Sequence, residues 1–260
     1  MSRTDAFFVS HGSPMLALQQ GEAHEFLKSM GQRLEGATGI LVASAHWETS
    51  GITISTAAKP TTIHDFGGFP NALYEMRYPA PGAPELAKAA QTLLAEAGLT
   101  ATLDPNRGLD HGAWVPLRLM RPAADIPVAQ ISIQPHLSPA QHMAVGAACR
   151  RLRDEGVVIL ASGSITHNLK EFRGQGPDAA PEPWAVAFAD WVAEKAEAGN
   201  LEALRNFVTE APNARRNHPS TEHFLPLFVA LGAGSVGGKI ERLHKSFTYG
   251  VLSMDVYAAH

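Results

Sequence analysis

Apolar residues come along this chain in short unbroken runs that stop abruptly on polar ones. Ala6-Phe7-Phe8-Val9-Ser10 runs into His11-Gly12-Ser13-Pro14, and Gly39-Ile40-Leu41-Val42-Ala43-Ser44-Ala45 runs into His46-Trp47-Glu48. Val157-Val158-Ile159-Leu160-Ala161-Ser162-Gly163 passes through Ser164-Ile165-Thr166 into His167. Runs of this kind predict strands buried on both faces. In open α/β sheets ligands bind at the carboxyl ends of the strands, so each run predicts an imidazole delivered to that edge. Residues 128–133, behind Pro127, predict another strand, and residues 51–55 and 99–103 shorter ones.

Between these runs the spacing becomes helical. Phe26, Leu27, Met30 and Leu34 place a helix over 22–34, and Leu86, Ala89, Ala90, Leu93 and Ala97 place one over 84–97, opened by Pro84 and stopped by Gly98. Ser138-Pro139-Ala140-Gln141 has the form of a capping box with proline in the first turn and opens a helix to about Arg153. Trp184, Phe188, Trp191 and Lys195 place another, closed by Gly199-Asn200 and followed by a further helix over 201–208. A short helix is expected near Val115. A last one is expected from a cap at Ser220 to a stop at Gly232, with Pro226 awkwardly inside it, since an interior proline costs roughly 3 kcal/mol. Residues 57–84 read as a long irregular stretch whose Ile63, Phe66, Phe69, Tyr74 and Tyr78 predict a lid or wall packed on something, and 247–257 as a strand or hairpin arm. The alternation predicts one α/β domain over 1–260. Its central sheet is mixed or mainly parallel, with helices on both faces and the active site at the carboxyl ends of the strands.

Composition narrows the partners more than the fold. The 260 residues are 45% hydrophobic with a formal net charge of -4, and no basic cluster is interleaved with aromatics, which argues against nucleic acid and anionic membrane. Met1-Ser2-Arg3-Thr4-Asp5 lacks the apolar segment of a signal peptide, so a cytoplasmic protein is expected. The single cysteine, Cys149, shares a helical stripe with Val145, Ala148 and Leu152; it reads as core and excludes an intramolecular disulfide. Twelve histidines are more than such a chain usually carries.

A histidine in a loop is more often a satisfied polar residue than a ligand, and His24, His136, His142, His244 and His260 are read so. His11, His46 and His167 differ because each closes a strand. If those strands are neighbours, the rings converge on one crevice, where neutral imidazoles suit Zn(II) or Fe(II). His64, His111, His218 and His223 lie on loops able to close over it. Asp65, Asp110 and Glu222, each beside a histidine, read equally as orienters, ligands or exposed carboxylates. Zinc-finger spacing, an HExxH pair, a phosphate loop and a GxSxG elbow are all missing from the sequence.

Six segments taken together are recognisable: residues 9–14 and 44–47, Thr62-Ile63-His64-Asp65-Phe66-Gly67-Gly68-Phe69-Pro70, Asp110-His111-Gly112-Ala113-Trp114, residues 161–169, and Thr221-Glu222-His223-Phe224-Leu225-Pro226-Leu227. In order and spacing the chain closely resembles the DOPA-dioxygenase branch of the class III extradiol ring-cleaving dioxygenases over essentially its whole length. The resemblance implies one divalent metal held by His11, His46 and His223, with Fe(II) for turnover and Zn(II) as isolated. The wider class has a glutamate at the third position, and Glu222 stands next to His223. His167 matches the acid/base histidine and a candidate fourth ligand, and His111 a histidine that hydrogen-bonds substrate or oxygen. His64, Phe66, Trp47 and Trp114 are expected around the substrate, with Phe69, although such aromatics are equally ordinary as core. Partners would be a catechol and dioxygen, with a homodimer the assembly to look for. Two rival readings use the same histidines: a zinc hydrolase with Glu222 or His167 as base, and a non-catalytic metal-binding or interaction protein on the same fold, as the Memo family is thought to be.

Overall fold

The computed structural model describes residues 3–260. Its strands are β1 (Ala6–Ser10), β2 (Gly39–Glu48), β3 (Ile52–Ser55), β4 (Ala101–Asp104), β5 (Val128–Ile133), β6 (Val157–Gly163), β7 (Ile240–His244), β8 (Phe247–Thr248), β9 (Leu252–Ser253) and β10 (Val256–Ala259). The helices are α1 (Glu22–Ser29), α2 (Asn71–Glu75), α3 (Pro84–Glu96), α4 (His111–Met120), α5 (Pro139–Cys149), α6 (Pro183–Glu197), α7 (Leu201–Arg205), α8 (Phe207–Glu210), α9 (Ala214–Asn217) and α10 (Leu225–Ala233). Eight strands make one sheet in the order β4-β3-β5-β2-β6-β1-β10-β7. β5, β2, β6 and β1 are mutually parallel; β10 joins β1 antiparallel and β7 joins β10 antiparallel, so the sheet is mixed with a parallel centre.

The two-faced burial expected of the central runs follows from the period of two along a strand. Phe8, Leu41, Ala43, Ile159 and Ala161 face one core, shared with residues of α3, α5, α6 and α10. Phe7, Val9, Ile40, Val42, Val158 and Leu160 face the other, shared with Leu27 of α1 and with Trp114, Val115 and Leu117 of α4. Helices therefore cover both faces. Cys149 lies buried in the first core. Among the described residues no helix is long and apolar enough to cross a membrane.

Several boundaries differ from expectation for local reasons. The helix expected near Val115 begins at His111, because the Asp110 side chain caps it by accepting from the Ala113 N–H, which leaves Pro116 in the helix interior. The reverse holds at the other suspect proline. The helix expected from Ser220 begins at Leu225, so Pro226 sits in the first turn, where its missing N–H costs nothing, and no local rule is broken there. The capping box at Ser138 forms with both of its hydrogen bonds. The stretch 57–84 is irregular except for α2, and 247–257 folds as the small β8–β9 hairpin leading into β10.

Candidate metal centre

β6 lies between β1 and β2 and runs parallel to both, so the three strand ends that carry histidines are neighbours. The His11 N–H donates to the Gly163 carbonyl at 3.0 Å, which ties the end of β1 to the end of β6. His46 stands within β2 itself. The third imidazole of the group, His223, comes from the turn before α10. That turn is seated on Gly163: a Cβ there would meet the His223 carbonyl oxygen at 2.2 Å, the oxygen to which the Ser164 N–H donates at 2.8 Å. Glycine is what allows the approach. Nε2 of His46 is 3.0 Å from Nε2 of His11 and 3.2 Å from Nε2 of His223.

A count of protons shows what such a contact means. His223 Nδ1 lies 2.9 Å from Glu222 Oε1, and His46 Nδ1 lies 3.4 Å from Asp65 Oδ2. Carboxylates only accept, so in the neutral His223 ring Nδ1 carries the proton, and the charge of Asp65 near His46 Nδ1 favours the same tautomer there. His11 Nδ1 lies 3.0 Å from Ser162 Oγ. With Nδ1 protonated, Nε2 is a bare lone pair, and lone pairs facing one another at 3 Å repel unless a cation lies among them. Three nitrogens about 2.0–2.1 Å from one ion in tetrahedral array stand about 3.3 Å apart, close to the spacing found. The group His11, His46 and His223 fits a single metal ion.

Electrostatics point the same way. Burial, and then the neighbouring imidazoles beginning with His46, hold His11 well below the usual histidine value. Burial and His167 do the same for His223, and burial with His111 takes His46 down to about 4. All three are therefore neutral near pH 7, the protonation state a metal requires. Burial raises the Asp65 carboxyl, but its contacts with the His111 ring and backbone N–H outweigh it and hold it at about 2.

The remaining predicted residues divide. His111 packs on His46 with ring centroids 3.9 Å apart, and its Nδ1 lies 3.0 Å from Asp65 Oδ1, off the line of a hydrogen bond; its backbone N–H donates to that oxygen at 2.9 Å. Asp65 thus stands beside both rings from the 57–84 stretch, one oxygen toward each, and holds the His111 backbone. His167 stacks on His223. Phe66 meets His111 edge-on and leads outward to His64, Phe69 and Tyr74, an aromatic wall in which His64 turns its Nε2 to the Met76 carbonyl, 3.0 Å away.

Trp114 and Trp47 are corrections to the expected pocket. Trp114 has no exposed surface and gives its indole N–H to the Ile63 carbonyl, so it supports the wall from behind. Trp47 follows His46 on the strand and is buried beneath the Arg107 guanidinium, 5.1 Å from its ring centroid. His218 does not join the cluster either. It is packed among Phe188, Phe207 and Phe224 with Nε2 2.7 Å from the Ile165 carbonyl. Asp110 is fully engaged by Ser44, Ala113, Arg107 and Gln130, and Glu222 lies on the Nδ1 side of His223, behind the ring. A cavity of about 500 Å³ between Ser13, Gln19, Pro177 and Tyr249 is lined by none of the five clustered histidines.

Sequence reasoning missed Ser44 and Ser162, which are paired across β2 and β6. The signal was present, since a serine inside an otherwise apolar two-faced strand must find a partner. Gly112 is a third: a Cβ there would strike Ser44 Oγ at 2.4 Å and crowd the His46 ring, so glycine lets α4 begin against the cluster.

An α/β sheet that gathers neutral imidazoles at its carboxyl edge defines a class of proteins with a site suited to one metal ion. More specifically, residues 5–257 match the catalytic LigB subunit of aromatic ring-opening dioxygenase, and the chain belongs to that family. It is an oxidoreductase that acts on dioxygen and an aromatic small molecule, which decides against the hydrolase and the non-catalytic readings. The chain is 44% identical to a 4,5-DOPA dioxygenase extradiol of Beta vulgaris, over 97% of this chain and 95% of that one. It is 42% identical to the protein of the same name from Escherichia coli K12, over 89% and 86%. The crystal structure of an uncharacterized protein from Escherichia coli K12 superposes with a TM-score of 0.84 at 33% identity, over 99% of this chain and 100% of that one.

Proposed function

We propose that the whole chain, 1–260, is one cytoplasmic catalytic domain that opens a catechol of the 4,5-DOPA type beside its diol, with iron(II) held by His11, His46 and His223. The observation that carries the ligand assignment is the meeting of three Nε2 atoms at 3.0 and 3.2 Å, with a polar partner beside the Nδ1 of each ring. The names of the relatives supply the substrate class. Bound iron(II) would supply a redox-active centre with open positions for both a diol and triplet dioxygen, which zinc(II) does not; zinc is expected in protein purified without iron.

The chain's own residues then have distinct tasks. His167 is kept neutral because burial lowers its pKa more than Glu222 raises it, so its free imidazole nitrogen is able to take the second catechol proton and later return it. His111 Nδ1 makes no hydrogen bond, so the ring proton is free to sit on Nε2 and be donated to negative charge on a substrate or dioxygen oxygen. Phe66, with His64 and Phe69 behind it, flanks the aromatic ring and limits water. The test is anaerobic loading with Fe(II), then oxygen-electrode and absorbance assays over DOPA, caffeate and protocatechuate. One dioxygen consumed per ring opened is expected, with DOPA among the substrates. No oxygen uptake with any catechol would overturn the proposal.

A further inference from the structure

Pro116 lies in the interior of α4, where its ring nitrogen has no hydrogen to give to the carbonyl four residues back, that of Gly112. That carbonyl has another partner. Ser162 Oγ donates to it from the end of β6, across the helix-to-sheet contact. Ser162 is completely buried and has one hydroxyl proton, and the same oxygen lies 3.0 Å from His11 Nδ1.

Two arrangements of protons are conceivable. If Ser162 gave its proton to His11 Nδ1, the Gly112 carbonyl would lose this donor as well as its helical one, and His11 would hold Nε2–H pointing at His46. With the Ser162 proton on the Gly112 carbonyl, Ser162 Oγ accepts from His11 Nδ1–H, the carbonyl keeps its donor, and His11 Nε2 is left bare toward the metal position. A buried acceptor without a partner is costly, so the second arrangement prevails.

We infer that Pro116 and Ser162 are positioning residues: the proline vacates the Gly112 carbonyl, the carbonyl orients the serine hydroxyl, and the serine fixes His11 in the tautomer whose Nε2 is free to bind metal. A carboxylate does this for His223, through the hydrogen bond to Glu222, and the charge of Asp65 stands 3.4 Å from His46 Nδ1. His11, just past the end of β1 between β6 and β10, has no carboxylate at its Nδ1 and uses a neutral relay instead. The inference rests on His11 as a ligand, so its test separates the two.

The first measurement is ¹⁵N–¹H correlation of the histidine side chains in metal-free protein. The wild type is expected to show His11 protonated at Nδ1, and Ser162→Ala to show a mixture of tautomers. The second is zinc(II) affinity by chelator competition, in which zinc avoids any oxidation of the metal. Ser162→Ala and Pro116→Ala are each expected to bind about 10–100-fold more weakly, the usual cost of removing an outer hydrogen-bond partner. Pro116→Ala restores a backbone donor to the Gly112 carbonyl and a better helix former, so it keeps or gains thermal stability while losing affinity, which a merely structural role would not produce. Wild-type His11 protonated at Nε2, or both variants within twofold of wild type, would overturn the relay. Wild-type binding that His11→Ala leaves intact would instead overturn the ligand reading.

Discussion

His167 lies flat against His223, with ring centroids 3.5 Å apart and planes within 8° of parallel. The contact fixes one face of each ring and leaves the nitrogens at the edges. His167→Ala is therefore expected to keep its metal and its affinity for catechol, while kcat falls by about 10²–10⁴, the range for losing a positioned acid/base. Metal analysis with single-turnover absorbance checks this. Ring cleavage at a near-normal rate would remove His167 from the proton transfer.

His11→Ala and His46→Ala each remove one of the three convergent nitrogens. Metal content and oxygen uptake should disappear together. In wild-type protein, metal at 100 times its Kd should add about 2.7 kcal/mol to folding stability by linkage, and each variant should lose that increment. Thermal unfolding with and without metal measures it.

Asp65 touches both His46 and His111 from a stretch without regular structure. Asp65→Asn replaces one acceptor oxygen with a donor, so one of the two rings loses its orientation. Metal affinity is expected to fall about tenfold, with a further loss in kcat. A variant that loses neither would leave the carboxylate with no role beyond capping the His111 N–H.

Gly163→Ala puts a methyl group where the His223 carbonyl oxygen stands, 2.2 Å from the new atom. The turn before α10 must shift. A destabilisation of about 1–3 kcal/mol, as for other overpacked sites, should come with weakened metal binding. Urea unfolding of the apo and metal-loaded forms separates the two effects.

Trp114 and Phe66 should behave oppositely, although both were expected around the substrate. Trp114→Phe removes a buried N–H donor to Ile63 and should cost about 1–3 kcal/mol of stability with KM for catechol unchanged. Phe66→Ala should raise KM several-fold with a smaller effect on stability, because Phe66 is partly exposed beside His111. Steady-state kinetics beside thermal unfolding tests the pair.

The strands were legible because both of their faces are buried and their ends are marked by histidine. β1, β2, β5 and β6 follow the apolar runs, and the parallel run of β1 and β2 on either side of β6 that brings His11 and His46 together is what a parallel sheet with crossover helices provides. The two prolines were the hard part. Whether a proline stands inside a helix or in its first turn depends on where the helix begins: Asp110 caps α4 well before Pro116, whereas α10 begins at Leu225 with no side-chain cap at all. Tryptophan was equally ambiguous from sequence, since a ring beside a histidine serves a pocket wall or a core, and only the hydrogen bond of Trp114 and the guanidinium over Trp47 distinguish them. Ser162 was overlooked because its significance depends on a carbonyl left free 50 residues away.

The seat of His223 against β6 has a consequence for how the molecule is made. Two nitrogens of the centre are synthesised within the first fifth of the chain and the third only after more than four-fifths of it, so a nascent chain cannot hold the ion tightly until the last helix of the α/β layer has docked. Capture of metal thus reports that α10 has docked on the sheet, and a half-made chain offers only two of the three nitrogens.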